Sequence, residues 1–189
     1  MHIVGVIIHG TPDRRYFFCA YPHLAGDSSL NVECIRRALV LYRNEMGRGL
    51  PPNLYLQLDS AADNKSRFVL GTLGWLVLQD LFHQVEVVML PVGHTHEDID
   101  QAFRVISEAL DAAGFIGTLD DYLHIIRTAW AGETQHVEIL SAVHDYKAWM
   151  QGHIWETEFK KDANTLKYIT TARYFKIRRR EFDRAVCLW

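Results

Sequence analysis

Apolar residues recur along the chain with the periods of strands and helices. Short β-branched runs bounded by Gly, Pro and Asp turns predict strands near residues 2–9, 16–21, 54–58 and 85–90. Helical spacing predicts helices over 28–46, 65–82, 97–112, 119–129 and 137–150, before a closing strand pair at 168–180 and 184–189. The order β-β-α-β-α-β-α favours an α/β fold in which the first four strands form one mixed, partly parallel sheet flanked by helices.

Two central segments are predicted to lie in the core. The helix over 65–82 is apolar nearly all round, which is typical of a buried helix. The strand over 85–90 is almost continuously hydrophobic, as expected for a strand covered on both faces. We therefore expect a core domain over residues 1–150, with residues 151–189 forming a basic β-hairpin appendage after a C-terminal helical segment.

Composition limits the class of protein. The chain has 189 residues, of which 49% are hydrophobic and 23% charged, as in ordinary globular domains. No apolar run approaches the roughly 18 residues of a membrane span, and no signal peptide opens the chain. The odd set Cys19, Cys34 and Cys187 argues against a disulfide framework and favours core thiols. These features predict an intracellular protein of the nucleus or cytoplasm, without a membrane partner.

Charge is unevenly distributed. The formal net charge is −3, yet residues 151–189 carry nine basic and five acidic residues and residues 1–150 carry eleven and eighteen. A basic cluster could contact nucleic-acid phosphates, which makes DNA a candidate partner; its members are Arg173, Lys176, Arg178, Arg179, Arg180 and Arg184, with Arg178, Arg179 and Arg180 at its centre. A solvated β-ribbon would give the same pattern.

The segment over residues 91–101 carries the strongest chemical signal. It places two histidines, three carboxylates and a glycine between the predicted strand 85–90 and the helix that follows. Chemistry in α/β proteins is usually placed outside the carboxyl end of a strand, and a plain helix start needs fewer metal-compatible side chains. The structural alternative is that Thr95 caps the helix and the acids complement its dipole.

A helical wheel separates the acids of this segment. With 100° per residue, the apolar side chains form one buried stripe, flanked on either side by Asp98 and Asp100. Glu97 falls nearly opposite the stripe and is expected to face solvent. Asp98 shares its flank with small alanines, so it is the best candidate to face a site at the sheet edge.

Asp59 is the second candidate carboxylate, because it follows the predicted strand 54–58 directly. A carboxylate in this position also commonly opens a turn or caps the next helix. However, two acids at neighbouring strand ends can share a divalent metal such as Mg²⁺ or Mn²⁺, and such metals drive phosphoryl transfer. We therefore expect Asp59 and Asp98 to converge, with His94 or His96 within reach.

These residues lie in two blocks that resemble a known family. The blocks Gln57-Leu58-Asp59…Asn64-Lys65 and Leu90-Pro91-Val92-Gly93-His94-Thr95-His96-Glu97-Asp98-Ile99-Asp100-Gln101 are similar to an uncharacterised domain family of repeat-rich eukaryotic genomes. That family resembles the transposase core of the ribonuclease H-like (DDE integrase) superfamily. The resemblance covers most of residues 1–150 and implies a metal-dependent phosphoryl transferase acting on nucleic acid.

Carried over to this chain, the resemblance assigns Asp59 as the second superfamily acid and Asp98, or else Asp100, as the third. The implied metal ligands are Asp59, Asp98, His94 and His96, and Lys65 is expected at the nucleic acid. Ser60 stands where the family usually has Asn. The first acid lies on the first strand of a three-stranded meander, and that strand is expected to be missing before Met1. We therefore expect weak metal binding and a degenerate or incomplete catalytic site.

Two other classes of function stay open. His94, His96 and Asp98 have the spacing of the zinc motif in metallo-β-lactamase-type hydrolases, which makes Zn²⁺ an alternative cofactor. However, that motif continues with His, and Ile99 stands there instead. The other alternative is a non-catalytic interaction or structural domain that keeps the acids as relics.

Overall fold

The computed structural model describes residues 1–90, 98–131, 135–153, 172–179 and 185–188, with only the backbone described for 152–153 and 185–188. The chain divides into two compact units. The first unit comprises residues 1–25 and 94–142, and the second comprises residues 26–93 and 143–189. None of the described helices combines the length and the apolarity that crossing a membrane requires.

The first unit is a three-stranded mixed sheet with two helices packed on it. Its order is β1-β2-β5, with β2 antiparallel to β1 and parallel to β5. The elements are β1 His2–Ile8, β2 Arg14–Ala20, α3 Asp98–Ala113, α4 Leu119–Thr128 and β5 His136–Leu140. Gly5 allows α3 to approach β1, since a Cβ there would lie 2.6 Å from Ile99 Cδ1. The core of this unit includes Phe17, Cys19, Ile106, Leu123 and Ile126.

The second unit is a four-stranded sheet covered by helices. Its order is β3-β4-β6-β7, with β3 and β4 parallel and the other neighbours antiparallel. The elements are α1 Ser28–Met46, β3 Asn53–Leu58, α2 Arg67–Leu78, β4 Gln84–Met89, α5 Tyr146–His153, β6 Tyr174–Arg179 and β7 Ala185–Leu188. The core of this unit is built from α2 and the inward face of the sheet, including Leu70, Leu73, Val85, Val87, Phe175 and Ile177.

Local signals explain where the helices begin and end. Asp27 caps α1 by accepting from the Ser29 amide at 2.8 Å, and Gly47 ends this helix with φ +61°. Ser66 caps α2, so this helix spans 67–78 and is shorter than the predicted 65–82. Thr118 caps the start of α4 in a capping box, a motif that the sequence of this first turn favours.

The mixed α/β class is confirmed, but the prediction of one sheet is wrong. The strands β1 and β2 lie in one sheet, whereas β3 and β4 lie in another. Each pair recruits a strand from the C-terminal part of the chain, β5 beside β2 and β6 beside β4. Such long-range pairing leaves no signal in local periodicity.

Two local predictions also need correction. Residues 137–150 were expected to form one helix, but they contain β5 and the start of α5, because pairing with β2 overrides the helical spacing. The strand β4 was expected to be covered on both faces. Instead Val85, Val87 and Met89 are buried while Val88 is 42% exposed, so only one face is covered. Cys19 and Cys34 are buried, as predicted, and the side chain of Cys187 lies outside the described residues.

A buried carboxylate joins α1 to α5 within the second unit. The Glu33 side chain is only 5% exposed and accepts from Arg36 at 2.8 Å and from Arg37 at 2.5 Å. The Tyr146 hydroxyl of α5 donates to Glu33 Oε2 at 2.5 Å. Burial alone would raise the pKa of this carboxyl, but the hydrogen bonds from Arg36, Tyr146 and Arg37 outweigh it and lower the pKa to about 2.

The stability of the fold should therefore depend on the charge of Glu33. Its folded pKa of about 2 lies below its ordinary value of 4.5, so the ionised form stabilises the protein above pH 4.5. This contribution is lost as the pH falls from 4.5 towards 2. We expect Glu33→Gln to be about 2 kcal/mol less stable than wild type at pH 7, since hydrogen bonds to a charged group are weakened.

Urea unfolding at pH 7, 4 and 2.5 measures this effect. The difference between wild type and Glu33→Gln should shrink as the pH falls. Glu45→Gln, at an exposed position of the same helix, is the matched control and should show little difference at any pH. A wild-type advantage that stays constant down to pH 2.5 would contradict the assignment.

Candidate functional site at the carboxyl ends of β3 and β4

Two chain segments leave the four-stranded sheet side by side. The parallel strands β3 and β4 are in register up to the pair Leu58 and Met89. The Leu90 amide then donates to the Leu58 carbonyl at 2.9 Å, and the Ser60 hydroxyl donates to the Leu90 carbonyl. The turn that contains Asp59 therefore starts beside Leu90, where β4 ends. This is the edge at which open α/β sheets place ligands.

Asp59 is held in a defined orientation. Its Oδ1 accepts from the Ala61 amide and from Asn64 Nδ2, both at 2.8 Å. Asn64 is fixed in turn, because its Oδ1 accepts from Asn31 Nδ2 of α1 at 2.8 Å. These bonds confirm the turn-opening role considered for Asp59. Among the described residues, these bonds occupy Oδ1. The other oxygen of this exposed side chain, Oδ2, is therefore available to a ligand.

Two cationic side chains lie near this carboxylate edge. The pKa of Lys65 is lowered by partial burial and, to a smaller extent, by repulsion from Arg173. The backbone carbonyl of Arg173 accepts from the Met89 amide at 2.7 Å, so Arg173 stands at the carboxyl end of β4. The cations Lys65 and Arg173 therefore accompany Asp59 at one end of the sheet.

Arg173 belongs to the predicted basic cluster but was not singled out as a site residue. It lies inside the predicted strand 168–180, whereas β6 begins one residue later, at Tyr174. The antiparallel pairing of β6 with β4 brings the start of β6 to the carboxyl end of β4. The available signal was a basic residue in a strand of unknown partner. Only the pairing, which is not visible in the sequence, identifies its position.

The predicted hairpin arginines lie elsewhere in the sheet. Arg178 pairs with Gln84 at the amino end of β4, five residues from Met89, a span of about 16 Å along a strand. Arg179 donates to Asp80 at 2.6 Å and is therefore engaged in an ion pair. Arg180 lies outside the described residues. Arg178 and Arg179 thus belong to a different surface from Lys65 and Arg173.

The acids Asp98 and Asp100 of the second block belong to the first unit. Asp98 begins α3, has a side chain that is 67% exposed, and lies 3.8 Å from His9 Nε2. Asp100 is exposed in the same turn. His94 and His96 lie outside the described residues. Since Asp59 belongs to the second unit, its convergence with Asp98 stays a prediction.

A divalent metal fits this site only in part. Within the described ranges, no three His, Cys, Asp or Glu side chains form a group able to hold an ion. Asp59 can supply one carboxylate oxygen at the edge of the sheet. A hard cation held by one carboxylate keeps most of its water ligands and binds weakly.

A family model identifies the chain as a member of an uncharacterised family. The model described as Domain of unknown function (DUF7869) matches residues 1–183, nearly the whole sequence, so the chain belongs to this family. No curated protein and no solved structure showed a significant match. The membership confirms the predicted relationship to an uncharacterised domain and assigns no activity.

The orientation of Asp59 should depend on Asn64. Replacing Asn64 by Ala removes the bonds to Asp59 and Asn31, and we expect a loss of about 1 kcal/mol in the free energy of unfolding. Asn44→Ala, at an exposed position near the end of α1, is the matched control and should not be destabilising. Chemical denaturation of both variants measures the difference. Equal stability of Asn64→Ala and wild type would show that the bonds do not hold the turn.

Proposed function

We propose that this chain is a nucleic-acid-binding domain derived from a transposase or nuclease, with an incomplete phosphoryl-transfer site. The observation that carries the proposal is the arrangement at the carboxyl ends of β3 and β4. Asp59 is held there by Asn64, and Lys65 and Arg173 stand at the same edge. Two cations around one carboxylate suit a phosphate backbone and a weakly bound metal.

The order of elements supports descent from the ribonuclease H-like superfamily. An antiparallel hairpin, β1 and β2, is followed by the parallel pair β3 and β4, with α2 as their crossover. The acid Asp59 follows the first strand of this pair, which is the position that the family resemblance assigns to the second catalytic acid. The division of the strands between two sheets departs from the single sheet implied by the resemblance.

The residues at this edge have separable roles in the proposed site. A bound Mg²⁺ or Mn²⁺ would supply Lewis-acid stabilisation of a phosphate oxygen. Asp59 would hold such an ion through Oδ2, and Asn64 would keep the carboxylate oriented. Lys65 and Arg173 would bind neighbouring phosphates. Because the described residues form no group of three side chains able to hold an ion, we expect binding of nucleic acid with little or no cleavage.

A non-catalytic interaction domain is the second candidate function. It is favoured by the uncovered face of the four-stranded sheet, where Tyr55 is 70%, Val88 42% and Tyr174 41% exposed. Aromatic and apolar side chains in such a patch are enriched at protein interfaces. The zinc hydrolase alternative rests on His94 and His96 with Asp98, and it gains no support from the contacts of the described residues.

Binding to nucleic acid should depend on the cations at the carboxyl edge. Replacing Lys65 and Arg173 together by Gln removes two phosphate contacts, so the slope of log K against log salt should become shallower by about two. Arg43→Gln with Arg48→Gln is the matched control, because both positions are exposed and lie at the carboxyl end of α1, away from the turn of Asp59. Fluorescence anisotropy with single-stranded and duplex DNA at several salt concentrations measures the slopes.

Three outcomes of this titration are informative. An unchanged slope in the Lys65→Gln, Arg173→Gln variant would contradict the proposed edge. A slope reduced instead by Arg178→Gln and Arg179→Gln would assign binding to the opposite end of the sheet. Absence of any salt-dependent binding would favour the interaction domain.

The role of Asp59 can be separated from that of the cations. Without metal, its carboxylate repels phosphate, so Asp59→Asn should bind DNA about three-fold more tightly, the effect of a surface charge. Millimolar Mg²⁺ should reduce this difference, because the ion screens or binds the wild-type carboxylate. Asp63→Asn, an exposed neighbour, is the control. The same variants should be compared by Mn²⁺ relaxation enhancement, and enhancement that survives in Asp59→Asn would exclude Asp59 as a ligand.

A further inference from the structure

The second unit contains an apolar cavity away from the carboxylate edge. Its volume is about 300 Å³, and it lies between α1, α2 and α5. The body of the cavity is lined by hydrophobic side chains, chiefly Val32, Ile35, Leu39, Leu73, Leu76 and Trp149. This volume reaches the range of small-molecule sites and is far larger than the voids of ordinary core packing.

The cavity opens to solvent through an apolar rim. Val40 of α1 is 44% exposed and Leu81, beyond α2, is 40% exposed, and both line the opening. Trp75 and Trp149, both partly buried, also line the cavity and meet edge to face with ring centroids 5.2 Å apart. This rigid aromatic wall and the apolar rim suit a flat or branched apolar group.

The charges that line the cavity all have one sign. Arg36 and Arg43 contribute to the wall, and none of the described lining residues is acidic. The nearby acid Glu33 is already neutralised by Arg36 and Arg37, so this cluster keeps a net positive charge. Arg43 stands in the last turn of α1, where its side chain is exposed. An anionic group at the opening would therefore be stabilised.

We propose that this cavity binds a small carboxylic acid with an aromatic or branched apolar body. The body lies between α1, α2 and α5 against the two tryptophans. The carboxylate lies at the opening, where Arg43 donates to it and Arg36 adds positive charge. Asp59, Lys65 and Arg173 do not line this cavity, so the inference does not rest on the proposed nucleic-acid function.

Three probes of one shape and different charge test the proposal. Isothermal titration calorimetry of the full chain should compare 2-naphthoate, 2-naphthalenemethanol and 2-naphthylmethylammonium. The carboxylate should bind at least about five-fold more tightly than the alcohol, and the ammonium more weakly than either, as one or two favourable surface charges predict. Equal affinities, or no binding of the carboxylate, would overturn the proposal.

Variants of the opening and of the wall locate the site. Arg43→Gln should weaken 2-naphthoate about three- to five-fold and leave the alcohol unchanged, as loss of an exposed ion pair predicts. Arg48→Gln, an exposed arginine outside the lining, is the matched control and should change neither. Leu39→Trp should fill the cavity and abolish binding of both. If Leu39→Trp does not fold, Val40→Trp closes the opening instead.

The remaining outcomes contradict the proposal. Binding of 2-naphthoate that survives both tryptophan variants places the ligand elsewhere. Sedimentation velocity tests whether a second copy of the chain occupies the cavity instead of a small molecule. A wild-type dimer that Val40→Trp dissociates, together with no probe binding, would assign the cavity to self-association.

Discussion

A buried carboxylate organises the second unit. Taking Glu33 out of water is costly unless its charge is compensated, and it accepts four hydrogen bonds, two from Arg36 and one each from Arg37 and Tyr146. The hydroxyl of Tyr146 is the long-range member, and it fixes α5 on α1. A second pair, Lys147 to Asp27 at 2.6 Å, holds the same two helices at the start of α1. Removing one partner would leave a buried charge uncompensated, so the helices keep one relative position.

Through α1, this constraint reaches both candidate sites. The first turns of α1 carry Asn31, which orients Asn64 and through it Asp59. The last turn carries Arg43 at the opening of the apolar cavity, and the docking of α5 supplies Trp149 to its wall. One helix, held by one buried charge, thus positions a polar edge at its start and an apolar cavity towards its end.

Local sequence patterns predicted the bounds of individual helices and strands. The pairing of strands that are distant in the chain was not predicted. The bounds of α1, β3 and α3 follow from periodicity and turns, and the end of β3 placed Asp59 at a sheet edge correctly. Each sheet gains a strand from far away in the chain, β5 beside β2 and β6 beside β4, so neither the two-sheet division nor the position of Arg173 was visible. The spacing of Glu33, Arg36 and Arg37 looks like an ordinary surface pattern. Its burial depends on Tyr146, 113 residues away.

The two sites are far enough apart to act separately. Asn31 and Arg43 are twelve residues apart on α1, a distance of about 18 Å along the helix axis. Coupling over such a distance requires an element with two discrete arrangements. The helix α1 does not offer one, since the ion pairs at Glu33 and Asp27 and the glycine cap at Gly47 hold it along its length. A ligand in the cavity should therefore add stability to the second unit by mass action without altering the contacts of Asp59.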